Sequence, residues 1–192
     1  MPTKYVFGRL TSPQREALRP IVKDRIVHDL GAGLCSISVE LATMGARKVV
    51  AVDCETPPPT VLNQLPSAVS FQRVPFERFR PKVPPTVAML SWPSLGLDYG
   101  KQGVLRLVRE APVVAYLGIN RATLGESLAC GGRPLWEHFE ERELLAYVPG
   151  RKNNLLVLGR WRKGSNLRPL TQEEKDARWQ HFDLDEAMAV DP

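Results

Sequence analysis

Two carboxylates and two glycines stand at spacings that could hold a nucleoside. Asp29 is followed by Gly31 and Gly33, and Asp53 stands 20 residues after Gly33. Glycines let the backbone turn sharply and approach a ligand without side-chain clash. A helix that follows such a turn directs N–H groups and its positive dipole end at the ligand. An acid about 20 residues after the turn can accept hydrogen bonds from two ribose hydroxyls. Together these residues predict a site for an adenosine-containing cofactor.

The segments around these residues indicate a strand, a turn, a helix and a second strand. Ile26–Leu30 and Lys48–Val52 are apolar enough for strands buried on both faces of a parallel sheet. Between them, a helix over about 34–44 carries apolar residues at spacings of four and three. This order places both acids at the carboxyl ends of neighbouring strands, where open α/β sheets bind their ligands.

The rest of the chain predicts five more strands and a short amino-terminal helix. Ser12 suits the N-cap of that helix, with Pro13 at its first position. The last two strands are joined by a Pro-Gly connection, which predicts an antiparallel hairpin. The five predicted strands are Val69–Val74, Thr86–Leu90, Pro112–Leu117, Glu143–Val148 and Asn154–Trp161.

Composition indicates an ordinary globular protein. The 192 residues are 43% hydrophobic and 24% charged, which fits one domain with a short appendage. We expect a cytoplasmic location and no membrane contact, because no apolar run approaches about 20 residues and the amino terminus lacks a secretory core. Three scattered cysteines and three distant histidines favour reduced thiols and no metal site. The net charge of +5 suits either an anionic partner or a solvated surface.

Two residues near the glycine turn separate two cofactor classes. A dinucleotide-binding motif has a third glycine where Ser36 stands, and Asp29 would repel a pyrophosphate. S-adenosylmethionine has no phosphate and carries an ammonium and a sulfonium group. A carboxylate at Asp29 suits that ligand through charge-assisted hydrogen bonding. S-adenosylmethionine is therefore the expected cofactor, and a dinucleotide oxidoreductase is the weaker alternative.

The segment Asp29-Leu-Gly31-Ala-Gly33-Leu-Cys35 resembles the first motif of the class I S-adenosylmethionine-dependent methyltransferases, D/E-x-G-x-G-x-G, with Cys35 in place of the third glycine. Asp53 matches the family's ribose-binding acid. The resemblance covers about residues 20–161. It implies an α/β fold with a Rossmann-like, doubly wound, mostly parallel seven-stranded sheet, closed by an antiparallel hairpin.

Further site residues are expected where later strands end. After the third strand, Phe76 could stack on the adenine, or it could belong to the core. After the fourth strand, Ser91-Trp92-Pro93-Ser94 partly resembles the D/N/S-P-P-Y/F/W motif of amino-methylating members. Ser91 and Trp92 are therefore candidates for binding the acceptor, Ser91 also for binding the cofactor, and Asn120 lies on the same rim. A general base is needed only when the acceptor must lose a proton early.

The resulting hypothesis is a methyltransferase that acts on a small molecule or a nitrogen centre. Nucleic acid is another candidate acceptor, although we expect the chain to be too short for a separate target-recognition domain. The alternative is a non-catalytic protein of the same fold that binds a protein or nucleic-acid partner. We expect a methyltransferase-like domain with an amino-terminal helical extension over residues 1–161, and a linker with a helical tail over 162–192.

Overall fold

The computed structural model describes residues 9–76, 78–91, 111–118, 141–147 and 155–160. These residues form three helices and seven strands. In chain order they are α1 (Ser12–Val22), β1 (Ile26–Leu30), α2 (Ser36–Thr43), β2 (Lys48–Asp53), α3 (Pro59–Leu62), β3 (Val69–Arg73), β4 (Val87–Ser91), β5 (Val113–Gly118), β6 (Glu141–Tyr147) and β7 (Leu155–Arg160). Within the described ranges, no helix is both long enough and apolar enough to cross a membrane.

Five strands form a parallel sheet in the order β3-β2-β1-β4-β5. The order reverses between β1 and β4, which is the kind of position where open α/β sheets bind ligands. This arrangement confirms the predicted α/β class and its Rossmann-like parallel sheet. At the β5 edge, β7 pairs antiparallel with both β5 and β6. The connection over 148–154, which would complete the predicted hairpin, lies outside the described residues.

The sheet buries a different set of side chains on each face. Because side chains alternate along a strand, register partners share a face. On one face, Val27, Val49 and Met89 belong to an apolar cluster that also includes Leu18 of α1 and Leu41 of α2. The opposite face carries the alternating residues. They include His28, Leu30, Val50, Val52, Ala88 and Leu90, which are all buried.

The strand bounds lie within two residues of those predicted, and the start of α1 differs from the prediction. The N-cap is Thr11, not Ser12, because Thr11 and Gln14 form a capping box. The Thr11 N–H donates to Gln14 Oε1 at 2.9 Å, and the Gln14 N–H donates to Thr11 Oγ1 at 3.4 Å. The helix continues through Pro20 and ends at Val22.

Candidate functional site

The turn after β1 has the backbone conformation that its glycines predict. Gly31 and Gly33 have φ angles of +82° and +51°, which an L side chain rarely adopts. The N–H groups of Gly31 and Ala32 donate to the Val52 carbonyl at 2.9 and 3.1 Å. These bonds fix the turn to the end of β2. A Cβ added at Gly33 would meet nothing within 4 Å, so the space beside the turn is open.

Asp53 contacts this turn directly. Its Oδ2 accepts a hydrogen bond from the Gly33 N–H at 2.8 Å, and its Oδ1 accepts one from the Glu55 N–H at 3.0 Å. Each carboxylate oxygen has a second lone pair that can still accept from a ligand. The structure therefore brings the predicted ribose acid against the second glycine, which the sequence did not predict as a contact.

Asp29 lies beneath the turn and is fully buried, with 0% of its surface exposed. Ser38 Oγ in α2 donates to Asp29 Oδ2 at 2.5 Å, whereas Asp29 Oδ1 has no hydrogen-bond partner. Burial raises the pKa of Asp29 to about 6; the Ser38 hydroxyl opposes this rise and the Asp53 charge adds to it. A group with this pKa is mostly ionised at pH 7, so Asp29 can still offer a negative charge to a ligand.

Ser91, at the end of β4, presents a second buried oxygen without a partner. Leu30 and Leu90 are register partners, so Ser91, the last residue of β4, lies beside the start of the glycine turn. It shares a face with Met89, the partner of Asp29. Asp29 Oδ1 and Ser91 Oγ are the two unpartnered buried side-chain atoms in the described part of the chain. Both occur at the carboxyl ends of adjacent strands.

Phe76 approaches the same turn from the segment after β3. It is half-buried, and its Cζ would lie 3.9 Å from a Cβ added at Gly31. The structure thus brings Phe76 to the glycine turn, next to the predicted adenine-binding region. The other predicted site residues, Trp92 and Asn120, lie outside the described residues.

Cys35 occupies the position of the family's third glycine and keeps a glycine-like backbone. It is the N-cap of α2 with φ +59° and ψ +17°, and its side chain is fully buried. A left-handed conformation costs an L residue about 1–2 kcal/mol. Burial raises the pKa of the thiol to about 11, with further contributions from the charges of Asp29 and Asp53. The departure from the motif therefore changes the side chain and preserves the shape of the turn.

Ser38 contacts the predicted site residue Asp29 and was not itself predicted from the sequence. In the structure, Ile37, Ser38 and Leu41 are the buried residues of α2. The sequence contains a signal for this burial, because Ser38 lies on the same helix face as the apolar Ile37 and Leu41. A serine among the buried positions of a short helix needs a polar partner. That partner is Asp29, nine residues earlier in the chain.

Comparison with known proteins identifies the fold. No family model matches the chain, and no curated protein matches its sequence. Solved structures do match. The T. thermophilus 16S rRNA N2 G1207 methyltransferase, in complex with AdoMet and guanosine, is 18% identical with a TM-score of 0.58, covering 82% of this chain and 45% of its own. An rRNA methylase from Streptococcus thermophilus is 14% identical with a TM-score of 0.52, covering 81% of this chain and 100% of its own.

A third match acts on a small molecule. The Burkholderia thailandensis 1,6-didemethyltoxoflavin-N1-methyltransferase, with bound substrate and S-adenosylhomocysteine, is 17% identical with a TM-score of 0.52, covering 78% of each chain. The chain therefore has the fold of the class I S-adenosylmethionine-dependent methyltransferases, as the glycine motif predicted. This chain spans less than half the length of the T. thermophilus enzyme.

Proposed function

We propose that this protein is an S-adenosylmethionine-dependent methyltransferase that acts on a nitrogen centre, with a small molecule favoured as acceptor. The observation that carries the proposal is the pair of buried, unpartnered oxygens, Asp29 Oδ1 and Ser91 Oγ, beside the glycine turn. Buried polar atoms are nearly always hydrogen-bonded. Two such exceptions at the ends of adjacent strands favour a ligand that donates hydrogen bonds there.

The residues of this region suit the parts of S-adenosylmethionine. Asp29 would accept from its ammonium group and Asp53 from its ribose hydroxyls, and Phe76 would pack on its adenine. Gly31 and Gly33 would let the backbone approach it, since the space beside Gly33 is open. When bound, this cofactor supplies an electrophilic methyl group on a sulfonium. The chain's contribution would be alignment of the acceptor, which can supply much of the rate enhancement in such a displacement.

The acceptor is proposed from the comparisons and from Ser91. Two of the matched proteins are named for methylation at nitrogen, one at N2 of G1207 in 16S rRNA and one at N1 of 1,6-didemethyltoxoflavin. Ser91 Oγ, with Trp92 and Asn120, would bind the acceptor amine. The chain's length does not argue against RNA, because an rRNA methylase matches over 100% of its own length. RNA is therefore the other outcome of the test below.

The test is transfer of a labelled methyl group. Purified protein is incubated with cell extract and methyl-labelled S-adenosylmethionine, and the products are separated into small-molecule, RNA and protein fractions. We expect label in the small-molecule fraction, and none with the Asp53→Ala variant as the control. Label in RNA would replace the proposed acceptor. Cofactor binding without label in any fraction would favour the non-catalytic alternative.

Three further features belong to the same proposal. We propose that the β6–β7 pair closes the sheet as the hairpin of the class I fold, which the antiparallel pairing of these strands supports. We also propose a methyltransferase-like domain over residues 1–161, followed by a linker and helical tail over 162–192. The proposed location is cytoplasmic, which the free thiols of Cys35 and Cys54 would suit.

A further inference from the structure

Ser38 is held in an unusual way for a helical serine. It is the third residue of α2, has 0% of its surface exposed, and directs its hydroxyl out of the helix to Asp29. Serines inside helices commonly bond to a carbonyl of the preceding turn. The Oγ–Oδ2 distance of 2.5 Å is in the short range of hydrogen bonds from a hydroxyl to a carboxylate.

This bond determines which oxygen of Asp29 remains for a ligand. The Ser38 backbone N–H, like the hydroxyl, lowers the pKa of the Asp29 carboxyl. With Oδ2 bound by Ser38, the carboxylate cannot rotate freely, and Oδ1 is the oxygen that stays without a partner. The orientation of the ligand-facing oxygen is therefore set by a residue of α2 and not by the strand alone.

We propose that Ser38 is a positioning residue for the amino-acid end of the cofactor, holding Asp29 so that Oδ1 faces the ligand's ammonium group. This inference rests on the proposed function. It adds a residue that acts through Asp29 and does not itself touch the ligand, and it predicts that Ser38 affects one end of the cofactor selectively.

The surroundings of Asp29 make the pH dependence of binding a second readout. Burial is the main cause of the raised pKa of Asp29, and the charge of Asp53 at the end of β2 adds to it. The Cys35 thiol stays neutral because its own pKa is about 11. From α2, Glu40 is paired with Arg15 of α1 at 2.9 Å. The ammonium group binds the ionised carboxylate, so affinity is expected to rise with pH through about 6. Loss of the Ser38 hydroxyl should move this rise to higher pH.

The experiment compares two ligands by calorimetry. S-adenosylmethionine has the amino-acid end, whereas 5′-methylthioadenosine has the adenosine and sulfur without it. For Ser38→Ala we expect the Kd of S-adenosylmethionine to rise about tenfold, the loss of one hydrogen bond to a charged group. The Kd of 5′-methylthioadenosine should change less than twofold. Titrations between pH 5.5 and 8.5 should show the shifted pH dependence.

Two variants keep the result interpretable. Ser36→Ala removes a half-buried hydroxyl from the same helix and should leave both Kd values unchanged. Ser38→Cys has a similar volume and a weaker donor, so it should give a smaller loss for S-adenosylmethionine alone. It replaces Ser38→Ala if that variant binds neither ligand because it does not fold.

The outcomes distinguish failure of the Ser38 role from failure of the proposed function. Wild-type protein that binds neither ligand would overturn both. Wild-type binding of both ligands, with Ser38→Ala weakening them equally or not at all, would overturn the positioning role and leave the proposed function in place. An unshifted pH dependence would also overturn the positioning role.

Discussion

His28 and Asp29 are neighbours in β1 with 2% and 0% of their surfaces exposed, but they lie on opposite faces of the sheet. His28 packs edge-on against Phe79 with ring centroids 5.6 Å apart. Burial lowers the pKa of His28 to about 4, while a hydrogen bond to the Val83 backbone partly opposes this. Asp29 has a partner for one oxygen and none for the other.

The contrast shows that burial of a titratable group does not by itself mark a ligand site. His28 is neutral at pH 7, and its ring interacts with Phe79 and the Val83 backbone. We therefore assign it to the core. Asp29 remains mostly ionised at pH 7 and has an unmet hydrogen bond. An unmet hydrogen bond in a buried group is costly unless a water or a ligand meets it. The difference between the two faces therefore lies in hydrogen-bond satisfaction.

The largest expected effect is on the pH dependence of stability. The depressed pKa of His28 contributes stability above pH 6.5 that is lost as pH falls through 4. The raised pKa of Asp29 contributes stability below pH 3.8 that is lost as pH rises through 6. Each contribution is about 3 kcal/mol, so the two nearly cancel in the wild type.

Single variants should expose each contribution in urea unfolding between pH 4 and 7. For Asp29→Asn, the free energy of unfolding should fall by about 3 kcal/mol from pH 6.5 to 4, because the His28 contribution remains. For His28→Gln, it should rise by a similar amount over the same interval. Parallel pH profiles for the two variants would contradict the assigned environments.

The second effect concerns cofactor affinity. Asp29→Asn removes the charge that we expect to bind the ammonium group, so the Kd of S-adenosylmethionine should rise about 30-fold, a loss of about 2 kcal/mol. His28→Gln, on the opposite face, should change it less than twofold. Calorimetry at pH 7.5 measures both. An equal rise in Kd for the two variants would mean that both faces of the sheet contribute alike to cofactor binding.

A third effect compares glycines at opposite ends of the sheet. Gly33 and Gly45 have φ angles of +51° and +93°, so an alanine at either position should lower stability by about 1–2 kcal/mol. A methyl at Gly33 would enter the open space beside the turn, whereas one at Gly45 would contact Lys23 at 3.6 Å. Only Gly33→Ala should weaken S-adenosylmethionine, by about tenfold or 1.4 kcal/mol. Thermal unfolding and calorimetry measure the two effects.

The smallest effect concerns α1. Arg15 Nε contacts Glu40 Oε2 at 2.9 Å, and another guanidinium nitrogen donates to the Leu10 carbonyl at 2.8 Å. Because the Arg15 side chain is 42% exposed, Arg15→Ala should lower the free energy of unfolding by only about 0.5–1 kcal/mol. The Kd of S-adenosylmethionine should be unchanged. A large change in Kd would place α1 in the site and not merely against α2.

Much of the fold could be predicted because buried parallel strands are short apolar runs. β1 was predicted with its observed bounds, and β2 to β5 to within one residue, since apolar residues make up most of these segments. The helix start was harder, because Thr11 and Ser12 are both good N-caps. Only Thr11 has a glutamine three residues later to complete the capping box.

The site could be predicted in part. Asp29, Gly31, Gly33 and Asp53 carry a local motif, and the structure brings all four together. The motif does not predict the burial of Asp29 or its hydrogen bond to Ser38, because both depend on how α2 packs over β1. The close approach of Phe76 to the turn also depends on packing between segments distant in sequence.

Calorimetric titration of the full chain with S-adenosylmethionine, beside titrations with NAD and of the Asp53→Ala variant, tests the central claim most directly. The account predicts saturable binding of one S-adenosylmethionine per chain, no heat from NAD, and loss of binding in the variant. No binding of S-adenosylmethionine at millimolar concentration, or saturable binding of NAD in its place, would contradict it.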